Sequence, residues 1–207
     1  MGLLSSVISK PSATAIGIVM TELPCFDFYG ARPIIVCFSV DTARYDYSCL
    51  NVHLISFVIM PNIRKAEPTD IESCARLLNI LFSQEHEFTP DQRKQEAGLG
   101  MIIGNPSVGT VFVCESEKGI IGMVILLNMV STALGKKVVM LEDMIVEPAW
   151  RSKGIGALLL EHASRWARNE GYGRITLLTD GDNVPAHHFY EDHGFVRSSM
   201  VAYRKRL

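Results

Sequence analysis

Arg151-Ser152-Lys153-Gly154-Ile155-Gly156 stands between a strand-like run and a helix-like one. The run before it, Val138-Val139-Met140-Leu141-Glu142-Asp143-Met144-Ile145-Val146, is apolar and extended in character. Glu147-Pro148-Ala149-Trp150 ends it, because Pro148 cannot donate to a central ladder. After it, Ile155, Leu158, Leu159, His162 and Trp166 recur at helical spacing on one face. A short basic loop therefore joins a buried strand to a helix N-terminus. Such a terminus leaves backbone N–H groups unpaired, and its dipole attracts anions. Gly154 and Gly156 carry no Cβ, so a phosphate can approach the backbone, and Arg151 and Lys153 add positive charge. From these six residues alone, an ordinary strand-to-helix turn accounts for the pattern as well as a phosphate cradle does. No third glycine with a later acidic ribose ligand completes a dinucleotide fingerprint. No Gly-Lys-Ser/Thr follows to make a P-loop.

The 207 residues are enough for one well-cored domain with some to spare. Charge is balanced, 20 Lys+Arg against 22 Asp+Glu, which argues against a nucleic-acid partner, since such binding wants a basic surface. Five scattered cysteines (Cys25, Cys37, Cys49, Cys74, Cys114) include no C-x-x-C pair. They read as buried free thiols of a reducing, cytoplasmic compartment, with neither a zinc site nor a disulfide framework. Residues 1–59 differ from the rest, with few charges and apolar runs at 33–40 and 52–59. Neither run approaches the ~18 residues of a membrane span, and the lack of a basic residue before Lys10 makes a poor secretory signal. No membrane partner is expected. Residues 1–59 are expected to be an N-terminal extension without catalytic role, either two strands of an added layer or a segment outside the folded domain, and residues 60–207 the catalytic domain, starting at Met60.

From there the chain alternates. Residues 63–66 read as a strand, and Pro68-Thr69-Asp70 opens a helix to about Phe82. Pro90-Asp91 opens a second helix to about Ile103, stopped by Gly104-Asn105-Pro106. Between them, Gln84-Glu85-His86-Glu87-Phe88 reads as a solvated loop or, alternatively, as the border of an acceptor pocket. Strands are expected at 109–115, 119–130 and 138–146, then the long helix, a strand at 174–179 parallel to 138–146, a short helix from Asp182-Asn183-Val184-Pro185, and a closing strand at 195–204. The fold class is α/β, a mixed sheet with helices on its faces.

Arg151-x-x-Gly154-x-Gly156 after an apolar strand resembles the pyrophosphate loop of the GCN5-related N-acetyltransferases, the GNAT family. A second run, Asn183-x-x-Ala186-x-x-Phe189-Tyr190-Glu191-x-x-Gly194-Phe195, follows one strand and about thirty residues later, the place a second motif holds in that family. The resemblance covers about residues 61–206. It implies a central sheet whose two parallel strands, here 138–146 and 174–179, splay apart to admit the pantetheine arm of acetyl-CoA. It also allows a homodimer, common in the family.

The resemblance implies the roles that follow. The amides of Lys153, Gly154, Ile155 and Gly156, with Arg151 and Ser152, hold the pyrophosphate. The backbone of Ile145 and Val146 pairs with the pantetheine amides as an added strand would, and a strand N–H near Ile145 serves the developing oxyanion. Tyr190 returns a proton to the leaving thiolate; a phenol titrates near ~10 and a thiol near ~8.5, so the transfer is only modestly uphill. Helix periodicity alone would make Tyr190 a core aromatic beside Phe189. Asn183 caps its helix and touches the arm.

The acceptor, a small-molecule amine or a peptide amine, must arrive neutral, so a base is needed. Glu142 and Asp143 are adjacent carboxylates in an apolar strand, where charge is rarely placed for stability. Alternation sends them to opposite faces unless a bulge intervenes. Glu142 is the candidate base, and both are candidates for holding the acceptor. The Leu141-Glu142-Asp143 run also resembles that of the spermidine/spermine acetyltransferase branch, where acidic residues hold a cation. His187, His188 and His193 match no zinc spacing, so no metal is expected. The expected activity is acetyl transfer to a primary amine in a ternary complex. A non-catalytic acyl-CoA-binding module is the rival, and it would need neither Tyr190 nor Glu142. Another acyl group or a hydroxyl acceptor is the enzymatic alternative.

Overall fold

The computed structural model describes residues 61–84 and 87–205. The expected extension at 1–59 and the expected start at Met60 lie outside the described residues. Strand β1 (Asn62–Lys65) leads through a 3-10 turn at Pro68–Asp70 into helix α1 (Ile71–Phe82). Asp70 fixes that turn: its carboxylate accepts from the Glu67 amide at 2.7 Å and from Arg64 of β1 at 2.6 and 3.1 Å. Helix α2 (Gln92–Ile103) is capped by Asp91, which accepts from the Lys94 amide.

Three antiparallel strands follow: β2 (Gly109–Ser116), β3 (Gly119–Ser131) and β4 (Lys136–Val146). After helix α3 (Ile155–Asn169) come a short strand β5 (Ile175–Leu177) and helix α4 (Val184–Asp192). The sheet order is β1-β2-β3-β4-β5, antiparallel throughout except for the parallel β4–β5 pair. That is the expected mixed sheet with helices on its faces.

Alternation along the strands divides the core. Val111, Val113, Met123 and Ile125 face α1 and α2, packing on Cys74, Leu77, Leu78 and Leu99. Phe112, Cys114, Val124 and Leu126 face α3, whose buried stripe is Ile155, Leu159, Leu160, Ala163 and Ala167. His162 and Trp166, expected on that stripe, flank it instead and pack edge-on against Phe112, with ring centroids 4.8 and 5.4 Å away. Each fully buried leucine, such as Leu159, contributes about 1.5–3 kcal/mol relative to exposure.

Two expectations change. The 174–179 strand shortens to three residues, and Leu178 is already exposed. The closing strand expected at 195–204 does not form. Its apolar residues fall on both parities (Val196 and Met200 against Val201 and Tyr203), so no single face can be buried, and all four are exposed. Ser198 instead accepts from the Met200 amide, a local bond that competes with a ladder. Phe195 remains attached, its ring 5.6 Å from that of Tyr190. No helix among the described residues is long and apolar enough to cross a membrane.

Candidate active site

The parallel pairing of β4 with β5 is brief. It joins Val139, Met140 and Leu141 to Ile175, Thr176 and Leu177 and goes no further. From Glu142 to Val146 the side of β4 that faced β5 has no strand partner among the described residues, so the sheet opens there. Which backbone groups point into the opening follows from the other ladder. The Glu147 amide donates to the Ile121 carbonyl at 2.8 Å, and the register continues through Val146↔Gly122 and Ile145↔Met123. In an antiparallel pair, alternate residues direct their amides to the partner. Ile145 therefore points its amide at β3, while Met144 and Val146 point theirs into the opening. The Val146 carbonyl already accepts from Arg151 Nε at 3.0 Å.

At the mouth of the opening lies the 151–156 loop. Ser152 has φ 58° and is the only non-glycine with positive φ among the described residues; Gly154 follows at φ 79°. A left-handed conformation costs a non-glycine residue roughly 1–2 kcal/mol. A left-handed residue next to a right-handed one can turn successive N–H groups to one side, as in an anion-binding nest. The first α3 hydrogen bond runs from the Leu158 amide to the Gly154 carbonyl. The amides of Ser152, Lys153, Gly154, Ile155, Gly156 and Ala157 find no acceptor among the described residues. Gly154 is the helix cap and brings no side-chain oxygen, and the first turn carries no acid. A Cβ at Gly154 would meet nothing within 4 Å, so the space over the loop is open. Unclaimed amides, a helix dipole and open space fit a pyrophosphate. Lys153 contributes less charge than its type suggests: its Nζ donates to the Ala149 carbonyl at 2.9 Å and sits 4.9 Å from the centre of the Trp150 ring.

Helix α4 reaches the same place. Asn183 Oδ1 accepts from the Ala186 amide at 3.2 Å and caps the helix. A Cβ at Gly156 would stand 3.6 Å from both Met144 Cε and Phe189 Cζ, so loop, β4 and α4 converge there. Tyr190 follows Phe189, half-buried on the α3 side of the sheet. Burial pushes its phenol above the ordinary value, which keeps it protonated at neutral pH and widens the gap to a thiol. His187 Nε2–H donates to the Asp180 carbonyl and His193 Nδ1–H to the Phe189 carbonyl. Both brace α4.

On the opposite side of the sheet, the ladder between β3 and β4 slips. Val124 pairs with Met144 but Leu126 pairs with Leu141, so Ile125 alone faces both Glu142 and Asp143. This is a β-bulge. Its consequence is visible in the core: Val139 and Leu141 pack toward α3, and so do Met144 and Val146, a change of parity. Glu142 and Asp143 are both turned the other way. They line one cavity of about 350 Å³, whose walls include Leu99 and Ile102 of α2 and Ile125 and Leu127 of β3. Phe82 and Phe88 complete it, their rings 5.3 Å apart. Glu142 is exposed to that space and has no ion-pair partner among the described residues. Asp91, also at the wall, pairs with Lys94 at 3.3 Å.

The sequence singles out the loop, Asn183, Tyr190 and the two acids as candidates; the Met144 backbone joins them only through the ladder register. Phe88 belongs to the Gln84–Phe88 stretch, for which the sequence allows either a solvated loop or the border of an acceptor pocket; an aromatic in a polar loop is the signal for the second, and Phe88 lines the cavity. A second recess, of about 550 Å³ and lined by Glu72, Ser73, Arg76, Gln92 and Glu96, contains none of these residues.

Comparison with known proteins gives consistent matches. The model of the Acetyltransferase (GNAT) family matches residues 71–195. The chain is similar to the uncharacterised N-acetyltransferase YhfO of Bacillus subtilis, 31% identical over 137 residues, 65% of this chain and 89% of that one. It is 24% identical over 146 residues, 69% of this chain and 91% of that one, to the aminoglycoside N(6')-acetyltransferase type 1 of Stenotrophomonas maltophilia. Among solved structures, a possible acetyltransferase from Clostridium difficile 630 superposes with a TM-score of 0.66 at 16% identity, covering 72% of this chain and 98% of that one.

Proposed function

The chain belongs to the GNAT acetyltransferase family, and from that premise we propose that it moves an acetyl group from acetyl-CoA to a primary amine by direct transfer in a ternary complex. The observation that carries the proposal is the parting of β4 from β5 after Leu141, with unclaimed amides at its mouth and an acidic cavity across the sheet. The similarity to an enzyme named for aminoglycoside acetylation supports an amine as acceptor.

When bound, acetyl-CoA supplies an acetyl group activated as a thioester. The amides of residues 153–156, with Arg151 and Ser152, hold its pyrophosphate, and Asn183 borders the arm. The N–H groups of Met144 and Val146 take the place expected for Ile145: they pair with pantetheine, and one of them faces the carbonyl oxygen as charge develops there. Glu142 first takes the proton that turns the incoming ammonium into a neutral amine and passes it to solvent, then takes the second proton as the nitrogen bonds the acetyl carbon. Tyr190 gives one to the sulfur as the carbon–sulfur bond breaks. Asp143 helps Glu142 hold the incoming ammonium. Neither cysteine among the described residues suits a covalent acetyl-enzyme: burial pushes the Cys74 thiol up to about 12 and that of Cys114 to about 11, far from a nucleophilic thiolate. Buried free thiols also suit a cytoplasmic setting.

The test is thiol release from acetyl-CoA with a panel of amines, for the wild type and for Tyr190→Phe. The variant is expected to lose on the order of 10²-fold or more in kcat while its thermal shift with CoA is kept. Full turnover by the variant would remove Tyr190 from the chemistry.

A further inference from the structure

Resting on the amine-transfer reading above, we propose that the acceptor is a small amine carried on an apolar, aromatic or branched aliphatic body, with one cationic end. The argument starts from the division of the cavity. Its acidic end is the bulge, where Glu142 and Asp143 lie side by side opposite Ile125. Its remaining walls are mainly apolar, from Leu99, Ile102 and Leu127 to the Phe82–Phe88 pair, with Thr89, Gln95 and the Asp91–Lys94 ion pair as the polar groups among them. Phe88 is 47% exposed, an apolar ring held open toward solvent at the rim. About 350 Å³ falls in the range of small-ligand pockets, ~300–1,000 Å³, and is too small for a folded partner.

Two alternative small amines meet specific obstacles. A polyamine places further ammonium groups away from the bulge, and among the described lining residues the other acid, Asp91, is already paired with Lys94. The second charge would then be desolvated among leucines and phenylalanines without a partner. An amino sugar loses water from several hydroxyls against walls that offer few hydrogen-bonding groups. An amine on an aromatic or branched aliphatic body gives up only apolar hydration, which is favourable, and its ring meets Phe82 and Phe88 in offset or edge geometry.

The experiment compares kcat/KM for phenethylamine and isoamylamine with that for glucosamine and spermidine, at saturating acetyl-CoA, in the full chain and in Phe88→Ala. The apolar amines are expected to lead by on the order of tenfold or more. Phe88→Ala is expected to raise KM for phenethylamine several-fold, leaving the thermal shift with CoA unchanged. Equal or better use of glucosamine or spermidine would overturn the inference while leaving amine transfer intact. So would a Phe88→Ala loss that falls equally on every amine. Turnover of none of the four, with the CoA shift preserved, would overturn the amine-transfer reading and this inference with it.

Discussion

Replacing Gly156 with alanine should stabilise the protein and weaken its hold on CoA, two effects of opposite sign from one methyl group. Gly156 is the second residue of α3, where alanine is preferred by about 0.5–1 kcal/mol. The added Cβ would lie 3.6 Å from Met144 Cε and Phe189 Cζ, ordinary contact that demands no movement. The ligand-free protein should therefore gain that amount, a rise of roughly 1–4 °C in Tm for a chain of this size. In the proposed complex the same methyl would border the gap between β4 and α4, where the pantetheine arm would leave the pyrophosphate loop. Displacing the arm from one backbone hydrogen bond costs about 0.5–1.5 kcal/mol, roughly a two- to tenfold rise in Kd. Differential scanning fluorimetry without ligand and calorimetric titration with CoA separate the two effects. A destabilised variant would refute the packing argument. A stabilised variant with unchanged CoA affinity would refute the placement of the arm.

Glu142→Gln should lower kcat/KM for an accepted amine by on the order of 10²-fold near pH 7. That loss should shrink as pH rises toward the amine's own pKa of ~10, where the acceptor arrives neutral; a pH-independent loss would mean Glu142 is no base. Asp70 gives a pH signature in stability. Its hydrogen bonds from Arg64 hold its carboxyl below the usual range, so its contribution is present above the unfolded value of about 3.9 and is lost as pH falls through the folded one. Asp70→Asn should thus have a lower Tm than the wild type at pH 7, with the difference closing below about pH 3.9; a gap constant with pH would contradict this.

Much of the fold was legible because its elements obey their periods. The α1 face through Cys74 and Leu78, the α3 stripe and the apolar run of β4 each carry a pattern that only one element type satisfies. The Arg151-x-x-Gly154-x-Gly156 loop was legible as a strand-to-helix junction from chain chemistry, and as a pyrophosphate loop only through the family resemblance. The bulge was not. Whether Glu142 and Asp143 share a face depends on their register against Ile125, which belongs to another strand. For the same reason the sequence pointed to Ile145 as the source of free amides, and the ladder turns that residue toward β3. The segment at 195–204 looked strand-like by composition, but its apolar residues occupy both parities and have no single face to bury.

The central claim is that this site transfers acetyl directly between two bound substrates. Incubating the full chain with acetyl-CoA labelled in the acetyl group and an accepted amine, then following the label by mass spectrometry, tests it most directly. The account predicts label in the N-acetylated amine, one free thiol per product, and none on the protein. Label appearing only as acetate, or passing through an acetylated residue that accumulates and then disappears, would contradict it.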